Sequence, residues 1–228
     1  MRHPPYPLRP NKAIDRYLLI EAIRLLDRAE DLSKFTYYGL GGPYLEDFRL
    51  LHDNFPKIKM VSLEQDSETH KRQKFHLPCS GVTLLNTDFR SFLAQEDLEK
   101  TRSIFWLDYI GLEYAAFEEF EELLDKVTPG SLIKITLRAE PGDYVETKDA
   151  EDFKKKFAAV LPTHSTTPPP TSGEFAQLLQ DMIQIASQQA LPSATGQTFQ
   201  AIYFYSRPFL ASSFAFRCER HAIQFRSW

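Results

Sequence analysis

Apolar residues recur along the chain with two different spacings. Between Asn11 and Ala29 they follow the repeat of a helix, which predicts an amphipathic helix near the start. Farther on, short apolar runs alternate with helix-like segments. The predicted strands lie at 34–39, 58–63, 82–87, 103–108 and 131–139, and the predicted helices at 43–54, 67–76, 90–100 and 113–127. This alternation indicates right-handed βαβ units that build a parallel sheet.

The last third of the chain follows a different pattern. Helices are predicted at 150–161 and 174–190, and a proline-rich segment, PTHSTTPPPTSG at 162–173, lies between them. Two strand-like runs, TFQAIYFYS and SSFAFRCER, follow, and the gap between them is too short for a crossover helix, so we expect them to pair antiparallel. The predicted fold is a Rossmann-like, doubly wound α/β sheet of five parallel strands, with a C-terminal antiparallel hairpin and helices on both faces.

Composition changes this picture little. The chain has 228 residues, of which 43% are hydrophobic and 25% charged, as in an ordinary globular domain. Its net charge of −4 argues against a wholly basic nucleic-acid binder. Basic residues gather in the N-terminal arm, at Arg2, Arg9, Lys12 and Arg16, and we interpret them as a solvated surface segment, with a local binding patch as the alternative. A second basic group, Lys71, Arg72 and Lys74, is interpreted as a solvated helix face.

Several other features are inconspicuous. Cys79 and Cys218 fit no zinc spacing, and His52, His70 and His76 fall on predicted helix surfaces, so we predict no metal site. The opening residues, MRHPPYPLRP, have no apolar core, and no apolar run is long enough for a membrane span. The sequence therefore predicts a cytoplasmic protein without a membrane partner.

Candidate chemistry lies where the predicted strands end. The first strand runs into FTYYGLGG at 35–42, and a helix-like segment follows at once, which favours contact between backbone and ligand. The next three strands end in Glu64, Asp88 and Asp108. Open parallel sheets bind ligands at the carboxyl ends of their strands. We therefore expect these residues to line one crevice.

With these residues in place, the chain resembles a class I S-adenosylmethionine-dependent methyltransferase over about residues 30–220. In that family the sheet has seven strands, and the last lies antiparallel beside the fifth. The Gly-rich motif corresponds here to the segment from Tyr38 to Gly42. Family members commonly carry an acid just before the motif, and this chain has Thr36, Tyr37 and Tyr38 there. The resemblance implies an enzyme that binds S-adenosylmethionine and transfers its methyl group by in-line displacement.

The resemblance also implies roles for particular residues. Glu64 corresponds to the acid that binds the ribose hydroxyls, and Asp88 to the residue that binds the adenine amino group. Asp108 and Tyr109 are the candidate catalytic residues, facing the methyl donor and the acceptor. The full set of candidate cofactor-binding residues is Gly39, Leu40, Gly41, Gly42, Glu64, Gln65, Asp88, Phe89 and Asp108.

Each of these residues also has a purely structural interpretation. The glycines can form a tight turn, and Glu64 can be an ordinary loop acid. Asp88 can cap the helix that follows it, and Asp108 can cap the next turn. Tyr109 can pack in the interior. The residues alone leave these alternatives open, and they leave the acceptor open as well.

The organisation that we predict is one methyltransferase-like domain over residues 1–228. It comprises an N-terminal arm and helix (1–30), the cofactor-binding βα units (31–148), helices with the proline-rich loop as a possible lid (149–197), and the terminal hairpin (198–220). The arm and residues 162–190 are the expected contact surfaces for the acceptor or for a protein or nucleic-acid partner. A non-catalytic scaffold that acts through such a partner is the main alternative, and a nucleotide-dependent oxidoreductase is a third.

Overall fold

A computed structural model describes residues 10–109, 111–144, 147–163, 165, 168–191, 198–205 and 211–219. The chain divides into two compact units, Met1–Asp108 and Tyr109–Trp228, and each is described by itself. The single-domain organisation that the sequence suggested stays a prediction. In the described part of the chain, no helix combines the length and the apolar character that crossing a membrane requires.

The first unit alternates strands and helices, as predicted. It opens with α1 (Pro10–Ala29) and a short 3-10 helix, Leu32–Lys34, and four strands then follow with helices between them. Its elements are β1 (Phe35–Leu40), α2 (Glu46–Asn54), β2 (Lys59–Leu63), α3 (Ser67–Phe75), β3 (Val82–Leu85), α4 (Phe89–Gln95) and β4 (Arg102–Asp108). The apolar pattern therefore predicted every strand and every α-helix of this unit, and it missed only the 3-10 helix Leu32–Lys34.

The strands of the first unit are parallel and lie in the order β3-β2-β1-β4. Aromatic side chains hold the central strand between its neighbours and its helices. Tyr38 stacks on Phe105 of β4 with the ring centroids 4.7 Å apart, and Tyr37 meets the edge of Phe48 from α2 at 5.2 Å. Both tyrosines are buried, and burial raises the pKa of Tyr38 to about 12. Core aromatic residues thus occupy the position where the resemblance would place an acid.

The second unit contains the remaining helices and strands. Its elements are α5 (Tyr114–Lys126), β5 (Leu132–Arg138), a 3-10 helix Pro141–Tyr144, α6 (Thr147–Lys156), α7 (Ser172–Ala190), β6 (Thr198–Tyr205) and β7 (Ala211–Glu219). β7 pairs antiparallel with both β5 and β6, and the register shifts between Ala201 and Tyr203. Phe153 of α6 and Phe157, which follows the helix, lie with their ring centroids 4.7 Å apart. Phe153 also contacts Phe175 of α7.

Some element boundaries differ from the prediction for local reasons. α2 begins at Glu46 and not at residue 43, because Leu45 adopts a left-handed conformation (φ 50°) that a helix cannot include. α7 begins at Ser172, two residues early, because the Thr171 side chain accepts a hydrogen bond from the Glu174 backbone and caps the helix. The predicted helix at 150–161 is displaced, since α6 ends at Lys156.

One face of α3 is buried although the helix is rich in polar residues. His70 is only 8% exposed, and its Nδ1 atom has no hydrogen-bond partner among the described residues. Burial lowers the pKa of His70, and the positive charge of Lys74 lowers it further. The expectation that His70 lies on a helix surface is therefore wrong. The 3.6-residue repeat was too weak to show it, because the buried face of this helix is itself polar.

We expect His70 to make stability depend on pH. Near pH 6.5 the unfolded chain takes up a proton on this imidazole that the folded protein binds more weakly, so the free energy of unfolding falls as the pH falls through about 6.5. His70→Gln should flatten this part of the curve, as measured by urea unfolding at a series of pH values. An NMR titration that gave His70 a pKa above its ordinary value would contradict the expectation.

Candidate functional site

The carboxyl ends of the four strands in the first unit form one edge. The last paired residues of β1, β2 and β3 are in register, so the residues that follow them, Gly41, Glu64 and Asn86, form a row. β4 pairs with β1 in the same direction, which places Asp108 level with Gly41 in that row. The structure therefore brings Gly41, Glu64 and Asp108 into one row, whereas Asp88, which the sequence also singled out, lies three residues beyond the end of β3.

The Gly-rich turn has one closed side and one open side. A Cβ atom on Gly41 would lie 2.1 Å from Ser62 Oγ and 2.9 Å from Gln73 Nε2, so no side chain fits there. Gln73 is fully buried on α3, and its Nε2 atom donates to the carbonyl oxygens of Gly41 at 2.6 Å and Gly42 at 3.4 Å. A Cβ on Gly42 would meet nothing within 4 Å. The turn is thus braced from inside and leaves space outside at Gly42.

Gly39 and Leu40 belong to the strand and not to the turn. Gly39 is buried, and a Cβ atom there would lie 2.7 Å from the Tyr37 hydroxyl oxygen. Packing beneath Tyr37 therefore explains this glycine without a ligand. Leu40 is half-buried at the last position of β1. A cofactor contact of either residue stays a prediction.

Glu64 is held at the end of β2 by the backbone. Its Oε1 atom accepts a hydrogen bond from the Asp66 backbone at 2.8 Å, and its own N–H donates to the Leu85 carbonyl at 3.1 Å. Burial is the largest cause that raises the pKa of the Glu64 carboxyl. In the described part of the chain, no side chain donates to this carboxylate. Its remaining acceptor positions can therefore receive donors from a ligand.

Asn86 fixes the loop that carries Glu64, and sequence reasoning missed it. Its Nδ2 atom donates to the carbonyl oxygens of Glu64 at 2.7 Å and Gln65 at 3.2 Å, and its Oδ1 accepts from Ser67 Oγ at 3.0 Å. The available signal was its place one residue after β3, at the same edge as the acids. The backbone of Gln65, and not its exposed side chain, takes part in this arrangement.

Asp88 caps α4, which is the structural role that the sequence left open. Its Oδ1 accepts from the Ser91 backbone at 2.8 Å, and its Oδ2 accepts from Ser91 Oγ at 2.7 Å. These hydrogen bonds from Ser91 lower the pKa of Asp88 and keep it ionised. The ring of Phe89 is buried and packs with Phe92 and Phe105, with centroids 6.1 Å from each, so only its backbone lies at the edge.

Asp108 is engaged by a residue from the other end of the unit. Its Oδ1 forms an ion pair with Lys12 Nζ of α1, and both side chains are largely buried. The Lys12 ammonium also lies 5.6 Å from the centroid of the Trp106 ring, close enough for a cation–π contact. The positive charge of Lys12 therefore lies directly beside the carboxylate that was predicted to face the methyl donor.

A second ion-pair group joins α1 to the start of α2. Arg16 NH2 donates to Glu46 Oε2 at 2.9 Å, and its Nε atom donates to Asp47 Oδ1. Arg16 is only 8% exposed, so the interpretation of Lys12 and Arg16 as a solvated surface segment is wrong. Burial raises the pKa of Asp47, and Arg16 offsets part of that effect.

Across the described residues, no group of three or more His, Cys, Asp or Glu side chains is placed to hold a metal ion.

Tyr109 opens the second unit and is described there. Its backbone N–H donates to the Thr136 carbonyl at 3.2 Å, and its hydroxyl donates to Glu119 Oε2 at 2.6 Å. Burial, together with the negative charge of Glu119, raises the pKa of Tyr109 well above its ordinary value. The phenol thus keeps its proton and cannot serve as a base. A role in holding a substrate stays a prediction.

The two glycines of the turn should respond differently to a methyl group. We expect Gly41→Ala to lower the free energy of unfolding by about 2 kcal/mol or more, because the new Cβ overlaps Ser62 in a packed interior. Gly42→Ala enters open space and should change it by less than about 1 kcal/mol. Urea unfolding measures both. Equal losses in the two variants would contradict the closed and open sides described above.

Arg16 should contribute more to stability than an exposed arginine on the same helix. Arg16→Met leaves Asp47 buried without its partner, and we expect a loss of about 3 kcal/mol in the free energy of unfolding. Arg24→Met is the matched control, since Arg24 pairs with Glu21 at the surface and should cost less than about 1 kcal/mol. The double variant Arg16→Met/Asp47→Leu should recover part of the loss in urea unfolding. Similar losses for the two arginines would refute the inference.

Comparisons with known proteins bear on the family and the fold of the chain. Residues 4–211 match the family described as Putative O-methyltransferase. The fold is similar to that of Trm1 from Pyrococcus horikoshii, solved in complex with S-adenosyl-L-methionine, with a TM-score of 0.67 and 11% identity over 97% of this chain and 59% of that chain. A putative methylase from Haemophilus influenzae gives a TM-score of 0.50 and 12% identity over 95% of this chain and 92% of that one.

These likenesses differ in what they show. At 11% and 12% identity, the two solved structures show a shared fold alone, and this chain spans less than two thirds of the length of Trm1. No curated protein matches the chain. The family match covers most of the sequence, and it confirms the resemblance to methyltransferases. The chain belongs to the family of putative O-methyltransferases.

Proposed function

We propose that this protein binds S-adenosylmethionine along the edge formed by β1, β2, β3 and β4, and transfers its methyl group to an oxygen atom of an acceptor. The observation that carries the proposal is the row at this edge. It sets the open side of Gly42 beside a carboxylate, Glu64, that only the backbone holds. The family description supports oxygen as the acceptor atom.

The residues at the edge fit the parts of this cofactor. A ribose presents two adjacent hydroxyl donors, and Glu64 has acceptor positions left after its bond from the Asp66 backbone. Asp88 stays ionised, and each of its oxygens keeps a lone pair beyond the bonds from Ser91. It can therefore accept from the adenine amino group, with the Phe89 backbone beside it. The space outside Gly42 admits the remainder of the molecule.

The start of α2 supports a place for the amino-acid part of the cofactor. Leu45 precedes this helix and offers no side-chain cap, so the first backbone N–H groups of α2 have no partner from that residue. Gly41 brings the backbone close to β2, because no side chain lies between them. An anionic group is favoured at such a helix end, although Glu46 and Asp47 already supply negative charge there and Arg16 balances it.

The ends of β4 and α1 supply the charge near the reacting groups. When bound, S-adenosylmethionine supplies a methyl group on a sulfonium sulfur, and the acceptor oxygen displaces that sulfur in line. Asp108 is our candidate catalytic residue, and Lys12 holds its carboxylate in one position through the ion pair. Methyl transfer depends mainly on holding the acceptor in line, so a fixed carboxylate that orients the acceptor hydroxyl is the contribution expected of this pair. The Tyr109 hydroxyl already donates to Glu119, so its oxygen is left to accept a hydrogen bond from a ligand.

The alternatives now carry less weight. Membership in a methyltransferase family favours an enzyme over a non-catalytic scaffold, and over an oxidoreductase. The seven-stranded order with a terminal hairpin remains part of this proposal. Contact with a protein or nucleic-acid partner through the N-terminal arm or residues 162–190 stays a prediction as well. Of these segments, residues 1–9, 164, 166 and 167 lie outside the described residues.

Glu64 provides the direct test of cofactor binding. We expect Glu64→Ala to weaken the binding of S-adenosylhomocysteine at least tenfold, because hydrogen bonds from the two ribose hydroxyls to a charged acceptor are worth about 1.5–3 kcal/mol each. Isothermal titration calorimetry measures the affinity. Glu68→Ala removes an exposed acid four residues away that pairs with Lys71, and it should leave the affinity unchanged. Equal affinity of Glu64→Ala and the unaltered protein would remove Glu64 from the site.

A further inference from the structure

A group of exposed aromatic side chains lies beside the Gly-rich turn. We call Tyr44, Phe75 and His76 the aromatic surface. The Tyr44 and His76 rings lie 4.9 Å apart between centroids, and Phe75 meets His76 edge-on at 5.0 Å. Phe75 is 85% exposed and Tyr44 49% exposed. Contiguous exposed apolar surface of this kind marks an interaction site more often than scattered single residues do.

The aromatic surface is fixed to the proposed cofactor site. Gln73 lies on the last turn of α3, and its amide donates to the carbonyls of Gly41 and Gly42. Phe75 and His76 lie two and three residues after Gln73, and Tyr44 lies two residues after Gly42. The end of α3 is therefore attached to the segment that leaves space for the cofactor. A molecule that docks on the aromatic surface lies next to that segment.

Two cations on the same helix are available to this surface. Arg72 and Lys74 are exposed, and within the described part of the chain neither forms an ion pair. By contrast, Lys71 pairs with Glu68. The exposed apolar residues on α1, such as Tyr17, have a different setting, because Arg16 and Arg24 of that helix are engaged by carboxylates. Of these two helices, only α3 carries an exposed aromatic residue within three positions of cations that form no ion pair in the described part of the chain.

We propose that the aromatic surface docks single-stranded RNA, with bases stacked on Phe75 and Tyr44 and phosphates on Arg72 and Lys74. Flat aromatic faces accept any base, and cations along the same groove follow the phosphates. A peptide partner would leave both cations without a matching charge unless it were acidic. RNA also offers a 2′-hydroxyl oxygen at every nucleotide, which suits an oxygen acceptor. In naming this acceptor, the inference rests on the proposed methyl transfer.

After docking, the methyl group would pass from the sulfonium sulfur to the 2′-hydroxyl oxygen. A lone pair of the 2′-hydroxyl oxygen forms the new bond to the methyl carbon, and the bond between that carbon and the sulfonium sulfur breaks. Its electrons stay on sulfur, which leaves as the neutral thioether S-adenosylhomocysteine. The hydroxyl proton passes to water. No oxidant or further reactant is needed.

Fluorescence anisotropy with a labelled oligouridylate of about twelve nucleotides tests the docking. We expect the unaltered protein to bind it, and Phe75→Ala to bind about tenfold more weakly, because stacking on an aromatic ring is worth about 1–3 kcal/mol per base. Phe75→Tyr should keep the affinity. Arg72→Gln/Lys74→Gln should weaken binding and reduce the slope of log affinity against log salt by about 1.4, for two lost phosphate contacts.

Matched controls separate stacking from general attraction. Tyr17→Ala removes an aromatic side chain that is 60% exposed on α1 and should leave the affinity unchanged. Failure of the unaltered protein to bind the strand would overturn the proposal. A Phe75→Ala variant that keeps full affinity for the single strand would also overturn it. The same holds if Phe75→Ala weakens binding of duplex RNA as much as binding of the single strand. Self-association that Phe75→Ala abolishes in sedimentation would also overturn it, since the surface would then be a protein interface.

Calorimetry with S-adenosylhomocysteine on the same variants keeps the two proposals distinct. Phe75→Ala should bind it as the unaltered protein does, because Phe75 is 85% exposed and is not among the residues proposed to hold the cofactor. Strand binding without cofactor binding would refute the proposed methyl transfer and keep the docking surface. Cofactor binding without strand binding would refute the docking surface alone. A strand of the same length made of DNA shows whether the 2′-hydroxyl contributes to affinity.

Discussion

The parallel pairing of β1 with both β2 and β4 is the constraint on which the candidate site depends. In parallel strands that share a register, whatever follows each strand must emerge at the same edge. Gly41, Glu64 and Asp108 are far apart in the sequence, yet the register leaves them no other place. Four short apolar runs therefore determine the position of the polar residues that follow them, before any of those residues makes a contact.

Ion pairs then attach α1 to that edge. Lys12 and Arg16 lie one helical turn apart and reach acids at the end of β4 and the start of α2. Such charges are costly to remove from water, and the pairing repays the cost only while both partners stay in place. These ion pairs contribute more to the position of α1 than to the net free energy of folding. They fix the orientation of the helix relative to the sheet edge, which an apolar contact alone specifies less strictly.

The sequence predicted the elements well and their long-range contacts poorly. Every strand of the first unit was foreseen because apolar runs are a local signal. The pairing of Lys12 with Asp108 was not, since nothing in a single sequence links positions 96 residues apart. His70 was misplaced because its helix has little apolar periodicity. Asp88 was left between two roles, and its hydrogen bonds to Ser91 reveal the cap while leaving its ligand role to experiment.

The buried amide of Gln73 has one further consequence. Its nitrogen is bonded to Gly41, and its oxygen accepts from Ser62 at 3.4 Å, so the side chain is fixed at both ends. A ligand on α3 and a ligand at the glycines would both act on this amide. Whatever factor the first imposed on the affinity of the second, the second would impose on the first. Any such coupling can therefore be measured from either ligand.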